Sequence, residues 1–239
     1  MRMTCPLCKN KKYIESLSVE DYVHCAKCSI AWLKVIPKID YEEDYYTPKS
    51  GIASKLFAPL ANIFHKIRSS FAGISKKKVW VDVGAGAGEY LSTVKADKKI
   101  GVEISQSGRK MMEDVGIETM TDAQFLKSDK LNADIISYWH VLEHTDKPWK
   151  YLKAGKRNLK KGGKIIIGIP NMDSLEFRYF KEKWFHLVPQ YHLWHFTPKS
   201  FEKLLNKTGF KIDSIDYFSI EHHPVGILQS FLNKTSLPK

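Results

Sequence analysis

No cysteine follows Cys28, no apolar run reaches the about eighteen residues of a membrane-spanning helix, and no apolar secretory core follows Met1. Each absence narrows the function. The first removes any nucleophilic thiol from the rest of the chain. The other two lead us to expect a soluble, cytoplasmic protein. The glycine-rich segment at Gly84 also lacks the third glycine of the G-x-G-x-x-G dinucleotide fingerprint: Glu89 stands there, and Gly88 comes one residue early. A nicotinamide or flavin site is therefore disfavoured.

What cysteine there is comes in a pattern. Cys5, Cys8, Cys25 and Cys28 read C-x2-C, sixteen intervening residues, C-x2-C. The two knuckles (CPLC and CAKC) can each present two thiolates, and so short a segment cannot bury enough apolar surface to fold unaided. A structural Zn(II) ribbon is the expectation, with reduced thiols or redox use as the alternative. Four thiolates leave no open coordination position for a catalytic water. His24, beside Cys25, reads as a surface residue.

The net charge of +12 is unevenly spread: residues 1–36 carry +3, residues 37–144 are balanced, and residues 145–239 carry +9. Lys147, Lys150, Lys153, Lys156, Arg157, Lys160, Lys161 and Lys164 supply much of the excess, on a helix whose Trp149, Leu152 and Leu159 would face a sheet. The row reads either as a solvated face or as a contact for an anionic partner: nucleic acid, a phosphorylated substrate or a membrane surface.

Periodicity divides the 239 residues into the ribbon (1–36), a linker and amphipathic helix (37–74), an α/β domain (75–218) and a tail (219–239). In the linker region, Leu56, Leu60, Ile63, Phe64, Ile67 and Phe71 recur at helical spacing. Lys55, Lys66 and Arg68 lie on the other face, which also fits weak membrane-surface contact. In the α/β segment, strands at Val79–Val83, Lys99–Glu103, Ile117–Met120, Asp134–Tyr138 and Lys164–Ile169 alternate with helices at Ala87–Ala96, Gln106–Asp114 and Pro148–Leu159. That alternation predicts a Rossmann-like, doubly wound, mostly parallel sheet. A helix from Pro198 to Asn206 and a strand Phe210–Phe218 follow, and no antiparallel seventh strand is evident in Ser219–Lys239.

Residues Val79 to Gly88, VWVDVGAGAG, run an apolar strand straight into Gly84, Gly86 and Gly88. Such a turn lets backbone approach a ligand at the head of a helix. Asp82 ends this strand, Glu103 ends the next, and IISYWHVLEH ends a later one, so three strand ends offer polar groups to one crevice. This order resembles class I S-adenosylmethionine (SAM) dependent methyltransferases. The resemblance implies that SAM lies against Gly84, Gly86 and Gly88, with Glu103 on the ribose hydroxyls and Asp82 toward the methionine ammonium. It places Asp122 and Ala123 at the adenine amine, and adds Tyr138 and Trp139 to the cofactor contacts. Asp122 also reads as the N-cap of a short helix.

His140-Val141-Leu142-Glu143-His144 matches H-x-x-E-H, whose two histidines bind zinc in certain proteases when one helical face carries both. Here the motif follows a strand directly, which withholds that context. The run from Trp139 to Phe210, with VPQYHLWHFTP and LLNKTGF, instead resembles the ubiquinone-type O-methyltransferase branch, and the likeness covers about residues 75–218. Some members bind a divalent cation through E-x-x-E-H; His140 replaces the first Glu, so cation binding, a general base at His140 and a structural Glu143–His144 pair all stay open. In that branch the later loop caps the acceptor pocket. The resemblance implies His140, His192 and His195 as catalytic candidates, with Trp184, Phe185, Tyr191 and Trp194 stacking on a ring or forming an aromatic minicore.

The confinement of cysteine to the ribbon argues against methylation at pyrimidine C5, and Ser137-Tyr138-Trp139-His140 in place of a D/N/S-P-P-aromatic motif argues against adenine N6. The expected function is O-methylation of a small molecule or a surface-glycan precursor. The alternatives are an rRNA guanine-type methyltransferase, since a zinc ribbon precedes the domain in such enzymes and the chain is basic, and a zinc-ribbon adaptor with a vestigial cofactor site.

Overall fold

The computed structural model describes residues 4–12, 14–16, 21–37, 67–70 and 77–217, together with Ile227 and Ser230. Most of the 37–74 linker and helix lies outside the described residues, although residues 67–70 are helical. The 219–239 tail also lies outside them, Ile227 and Ser230 excepted. The chain divides into two compact units, one of Met1–Ile39, Leu142–Trp149 and Ile169–Lys239, the other of Asp40–Val141 and Lys150–Gly168. This division cuts across the boundaries read from the sequence, because segments of the α/β region cluster with the ribbon.

In the first unit, β1 (Ile14–Ser16), β2 (Tyr22–Cys25) and β3 (Ile30–Leu33) form an antiparallel meander. Every residue of β3 is buried, so its edge must find a partner rather than water. That partner is supplied far along the chain, as described below.

The second unit holds β4 (Lys77–Val83), β5 (Ala96–Val102), β6 (Glu118–Met120), β7 (Ala133–Trp139) and β8 (Leu159–Gly168). They make one parallel sheet of order β6-β5-β4-β7-β8. The central β4 buries Trp80, Val81, Asp82 and Val83 on both faces, as an interior parallel strand must. The crossovers carry α1 (Glu89–Thr93), α2 (Gln106–Asp114), α3 (Asp122–Lys127) and α4 (Pro148–Asn158). Leu91, Met112 and Ile117 pack with Trp80, Tyr90 and Ile135 into one apolar cluster. The predicted doubly wound parallel sheet is present.

Two local expectations are corrected in this unit. Asp122 is not the cap of α3: Thr121 is, its hydroxyl accepting from Gln124 N while the Gln124 side chain accepts from Thr121 N. Asp122 is the first helical residue. Residues 159–164 are strand rather than helix, because α4 stops at the buried Asn158, whose amide donates to Ser128 O and Ala154 O. Gly162, at φ +79°, and Gly163, where a Cβ would lie 2.8 Å from Ala133 O, then admit a shift in register between β7 and β8.

The first unit is completed by α5 (Leu175–Phe180), β9 (Trp194–His195) and α6 (Pro198–Lys207). β9 pairs antiparallel with β3, Trp194 opposite Trp32 and His195 opposite Ala31, giving a four-stranded sheet of order β1-β2-β3-β9. α6 begins with a Thr197–Ser200 capping box and Pro198 in its first turn. It ends at Gly209, φ +86°, with Gly209 N donating to Asn206 O and Phe210 N to Leu205 O, a Schellman closure.

The strand expected at Phe210–Phe218 does not form among the described residues. Ile212, Ile215 and Tyr217 are exposed, and no ladder partner adjoins them. An alternating pattern specifies a strand only when a neighbouring backbone takes up its hydrogen bonds. No helix of the described residues is long and apolar enough to cross a membrane.

Candidate functional site

The crevice at the carboxyl ends of β4, β5 and β7 is built from the second unit alone. Gly84, Gly86 and Gly88 all have positive φ, at +71°, +58° and +80°. A Cβ on Gly84 would lie 2.4 Å from Val141 Cγ2, so only glycine fits both the backbone and the space. Glu103, 7% exposed, receives Gly86 N–H on one carboxylate oxygen and Ser105 N–H on the other, each at 2.9 Å. This carboxylate therefore ties the loop after β4 to the loop after β5.

Asp82 and Ser137 are register partners on β4 and β7, and the Ser137 hydroxyl donates to Asp82 Oδ1 at 2.6 Å. The same hydroxyl accepts from Trp80 Nε1 at 2.9 Å. Burial pushes the Asp82 carboxyl up to about 7, against the opposing pull of Ser137 and of Arg68, while Glu103 adds to the rise. Asp122 is also raised by burial, opposed by its contact with Tyr151, whose hydroxyl donates to Asp122 Oδ2 at 2.5 Å. The Arg109 guanidinium donates to Glu103 O and Ile104 O, each at 2.7 Å, and holds the chain just after β5.

Ala123 is exposed beside Asp122 on α3. Trp139 lies under the Arg68 guanidinium, 4.8 Å from its ring centre. Tyr138 is fully buried, its hydroxyl donating to Tyr151 O, so its side chain serves packing against α4. His140 follows at φ +55°, uncommon for a residue with a Cβ, and its N–H donates to Gly168 O at 2.9 Å. Residues 140–144 form a turn rather than a helix, so the protease reading of H-x-x-E-H fails on its own requirement.

In the first unit, the sulfurs of Cys5, Cys8, Cys25 and Cys28 all lie within 4.8 Å of one another, and none is in a disulfide. Cys8 and Cys25 are 3.8 Å apart. Thiolates bound at about 2.3 Å in a tetrahedron are separated by about that distance. Burial pushes the Cys5 and Cys28 thiols up. For Cys8 burial acts in the same sense, but the Asn10 backbone and the neighbouring sulfurs prevail and bring it down to about 7. Lys203 of α6 reaches Cys28 Sγ at 3.3 Å, a cation against sulfur that the sequence alone did not reveal. Lys207 of the same helix donates to Leu7 O.

His192 and His195 also belong to this unit. His195 is enclosed, 1% exposed, its ring edge-on to Tyr22 at 4.8 Å and beside Trp184 at 5.8 Å. Burial holds it neutral, near 3, although the Glu143 carboxylate opposes this. His192 is likewise depressed by burial and sits 4.6 Å from the His144 ring. Trp149 packs edge-on against Trp194, ring centres 5.8 Å apart.

The parallel sheet order, the left-handed glycine turn and the buried acid closing the adjacent strand are those of a class I SAM-dependent methyltransferase. The sequence pattern of the methyltransferase domain family matches residues 53–215, and the chain belongs to that family. It is 36% identical over 107 residues to an uncharacterized protein of Methanocaldococcus jannaschii, a match covering 43% of this chain and 50% of the other. The chain thus spans about half the length of that curated relative. Among solved structures, a SAM-dependent methyltransferase of Thermotoga maritima, described as a possible histamine N-methyltransferase, matches with TM-score 0.54 and 23% identity over 67% of this chain and 76% of that one. The Haloferax volcanii complex of a methyltransferase with the Trm112 methyltransferase activator matches with TM-score 0.55 and 13% identity over 77% and 88%. At these identities the likeness concerns the fold.

The structure brings Asp82, the three glycines and Glu103, which the sequence singled out, to one crevice, together with Ser137, Arg109 and Tyr151, which it did not. Ser137 had a signal, since a parallel pairing of the first and fourth strands sets it opposite Asp82. Arg109 and Tyr151 act through helix placement, which one sequence does not display.

Proposed function

We propose that the chain transfers a methyl group from SAM to a hydroxyl of a small molecule or a surface-glycan precursor. The observation that carries the cofactor is the Glu103 carboxylate, buried yet bonded to backbone N–H groups of both crevice loops. Its remaining lone pairs suit two ribose hydroxyls. Asp82 would face the methionine ammonium and Asp122, with Ala123, the adenine amine. When bound, SAM supplies a methyl group already made electrophilic by its sulfonium. The protein then has to orient the acceptor and take its proton.

His140 is the histidine we assign as base, because its ring is partly open to solvent at the end of β7. His192 and His195, buried in the first unit, are not assigned the proton transfer. The exposed row Lys150, Lys153, Lys156 and Arg157 on α4 keeps an anionic acceptor, or RNA, as the second reading. We further propose a structural Zn(II) on the four thiolates, supported by their spacing.

Labelled SAM offered to fractionated extract tests the acceptor. Uptake into glycan precursors or small phenols and sugars supports the reading, whereas salt-sensitive uptake confined to RNA replaces it with the second.

The raised Asp82 carboxyl gives a pH signature. Its folded value, about 7, exceeds its ordinary 3.8, so the stability it contributes is fully present below pH 3.8 and is lost as pH rises through about 7. A ligand ammonium favours the ionised form and reverses that preference. SAM affinity should therefore rise between pH 6 and 8 with release of a proton, and Asp82→Asn should flatten the profile. Calorimetry in buffers of different ionisation heat reads both quantities. An unchanged slope in the variant would remove Asp82 from the ammonium role.

A further inference from the structure

We propose that Glu143, His144 and His192 form a second metal site, separate from the cysteine cluster and suited to a divalent transition ion such as Zn(II) or Fe(II). One donor atom from each residue lies within 4.8 Å of the other two. A small side-chain rotation brings such donors onto one ion at about 2.0–2.2 Å.

The segment is prepared for that role by its own backbone. Leu193 N and Trp194 N both donate to Glu143 O, at 2.7 and 3.1 Å, and Trp194 Nε1 donates to Thr145 O at 2.7 Å. The turn carrying Glu143 and His144 is thereby stitched to the loop carrying His192. The His144 ring is oriented as well: Nδ1 lies 3.0 Å from Tyr191 O. A carbonyl only accepts, so Nδ1 carries the proton and Nε2 presents its lone pair. A metal-ligating histidine is held this way, its second nitrogen donating to a backbone carbonyl. His192 is 9% exposed, and its Nδ1 is buried with no hydrogen-bond partner among the described residues. A buried imidazole nitrogen in that state costs free energy that a bound ion or its water recovers.

The donor set selects the ion. One fully buried carboxylate with two imidazoles suits borderline transition metals, whereas Mg(II) and Ca(II) favour oxygen. It also differs from an E-x-x-E-H set of two carboxylates and one imidazole, because the third donor comes from His192, about fifty residues further along the chain.

Co(II) titration of the full chain, purified with its thiolate-bound ion in place, tests the site. The parent protein should bind one Co(II) with weak visible d–d bands and no sulfur charge-transfer band. His144→Ala and His192→Ala should each weaken that binding at least about tenfold while keeping the thiolate-bound ion, which also reports that the unit is folded. Should His192→Ala fail to fold, His144→Ala decides alone, since its ring is only partly buried. No Co(II) bound by the parent beyond the thiolate cluster would overturn the proposal, as would an unchanged titration in the histidine variants. The measurement needs neither SAM nor an acceptor, so its outcome is independent of the methyl-transfer reading.

Discussion

Glu103→Ala is expected to weaken SAM binding by about two to three orders of magnitude. The carboxylate is 7% exposed and spends one lone pair of each oxygen on Gly86 N–H and Ser105 N–H. Each oxygen keeps a second lone pair, so two charge-assisted bonds to vicinal hydroxyls are available in a site closed to water. Such bonds are worth about 1.5–3 kcal/mol each. Their joint loss, partly offset by relaxation, gives the stated range at about 1.4 kcal/mol per decade. Alanine also strands two backbone donors that now hold the crevice loops together, so the variant should melt earlier without ligand. Glu103→Gln separates these effects. It keeps the shape but turns an N–H pair toward donors, so it should bind SAM less well than the parent and better than alanine. Calorimetry on all three proteins checks the order. Affinity of Glu103→Ala within about threefold of the parent would mean that the ribose lies elsewhere.

The reason Glu103 could be placed at the crevice from sequence is physical. A parallel sheet brings every carboxyl strand end to one side, so an acid closing a strand near a glycine turn is placed there by topology alone. The same reasoning found α2 to the residue, because Gln106–Asp114 is an amphipathic run with Ser105 as its cap. It failed where long-range pairing decides. Trp194 and His195 are only two residues of strand, too few for any periodicity, and their strand character exists because β3 needs a neighbour. Phe210–Phe218 failed in the opposite sense, an alternating pattern with no strand to pair against among the described residues. Residues 159–164 kept the lysine spacing of a helix face across the end of α4, and the break came from Asn158 and the glycine pair rather than from the apolar positions. The histidines were legible as a group, but whether a histidine exchanges protons or lies buried depends on partners from other segments, as Tyr22 and Trp184 show for His195.

Loss of the ion proposed for the four thiolates is expected to release the segment around His192 and His195, far from the cysteines in sequence. Cys25 closes β2 and Cys28 lies in the turn that leads into β3, so a metal on these sulfurs would fix the hairpin whose outer edge carries β9. Leu33 N donates to Leu193 O at 3.0 Å, the Tyr22 hydroxyl donates to His192 O at 2.7 Å, and the Thr197 hydroxyl donates to Ser29 O at 3.0 Å. Structural zinc in isolated modules contributes about 10–16 kcal/mol, comparable to or above the whole stability of a typical domain. A ribbon without it cannot keep β3 in place, and the loop is then left, among the described residues, with contacts such as the Leu193 and Trp194 N–H bonds to Glu143 O and the Asn171–Phe196 bridge. Cys25→Ser, or treatment of the parent with a thiol-reactive mercurial and chelator, should therefore raise amide exchange at residues 191–196 by about a hundredfold or more. The β4–β8 sheet, with its own apolar cluster, should keep its protection. Exchange at 191–196 that stays at the parent rate after the metal has left would show that this loop is held by its aromatic neighbours alone, and that the cysteine cluster stabilises nothing beyond its own knuckles.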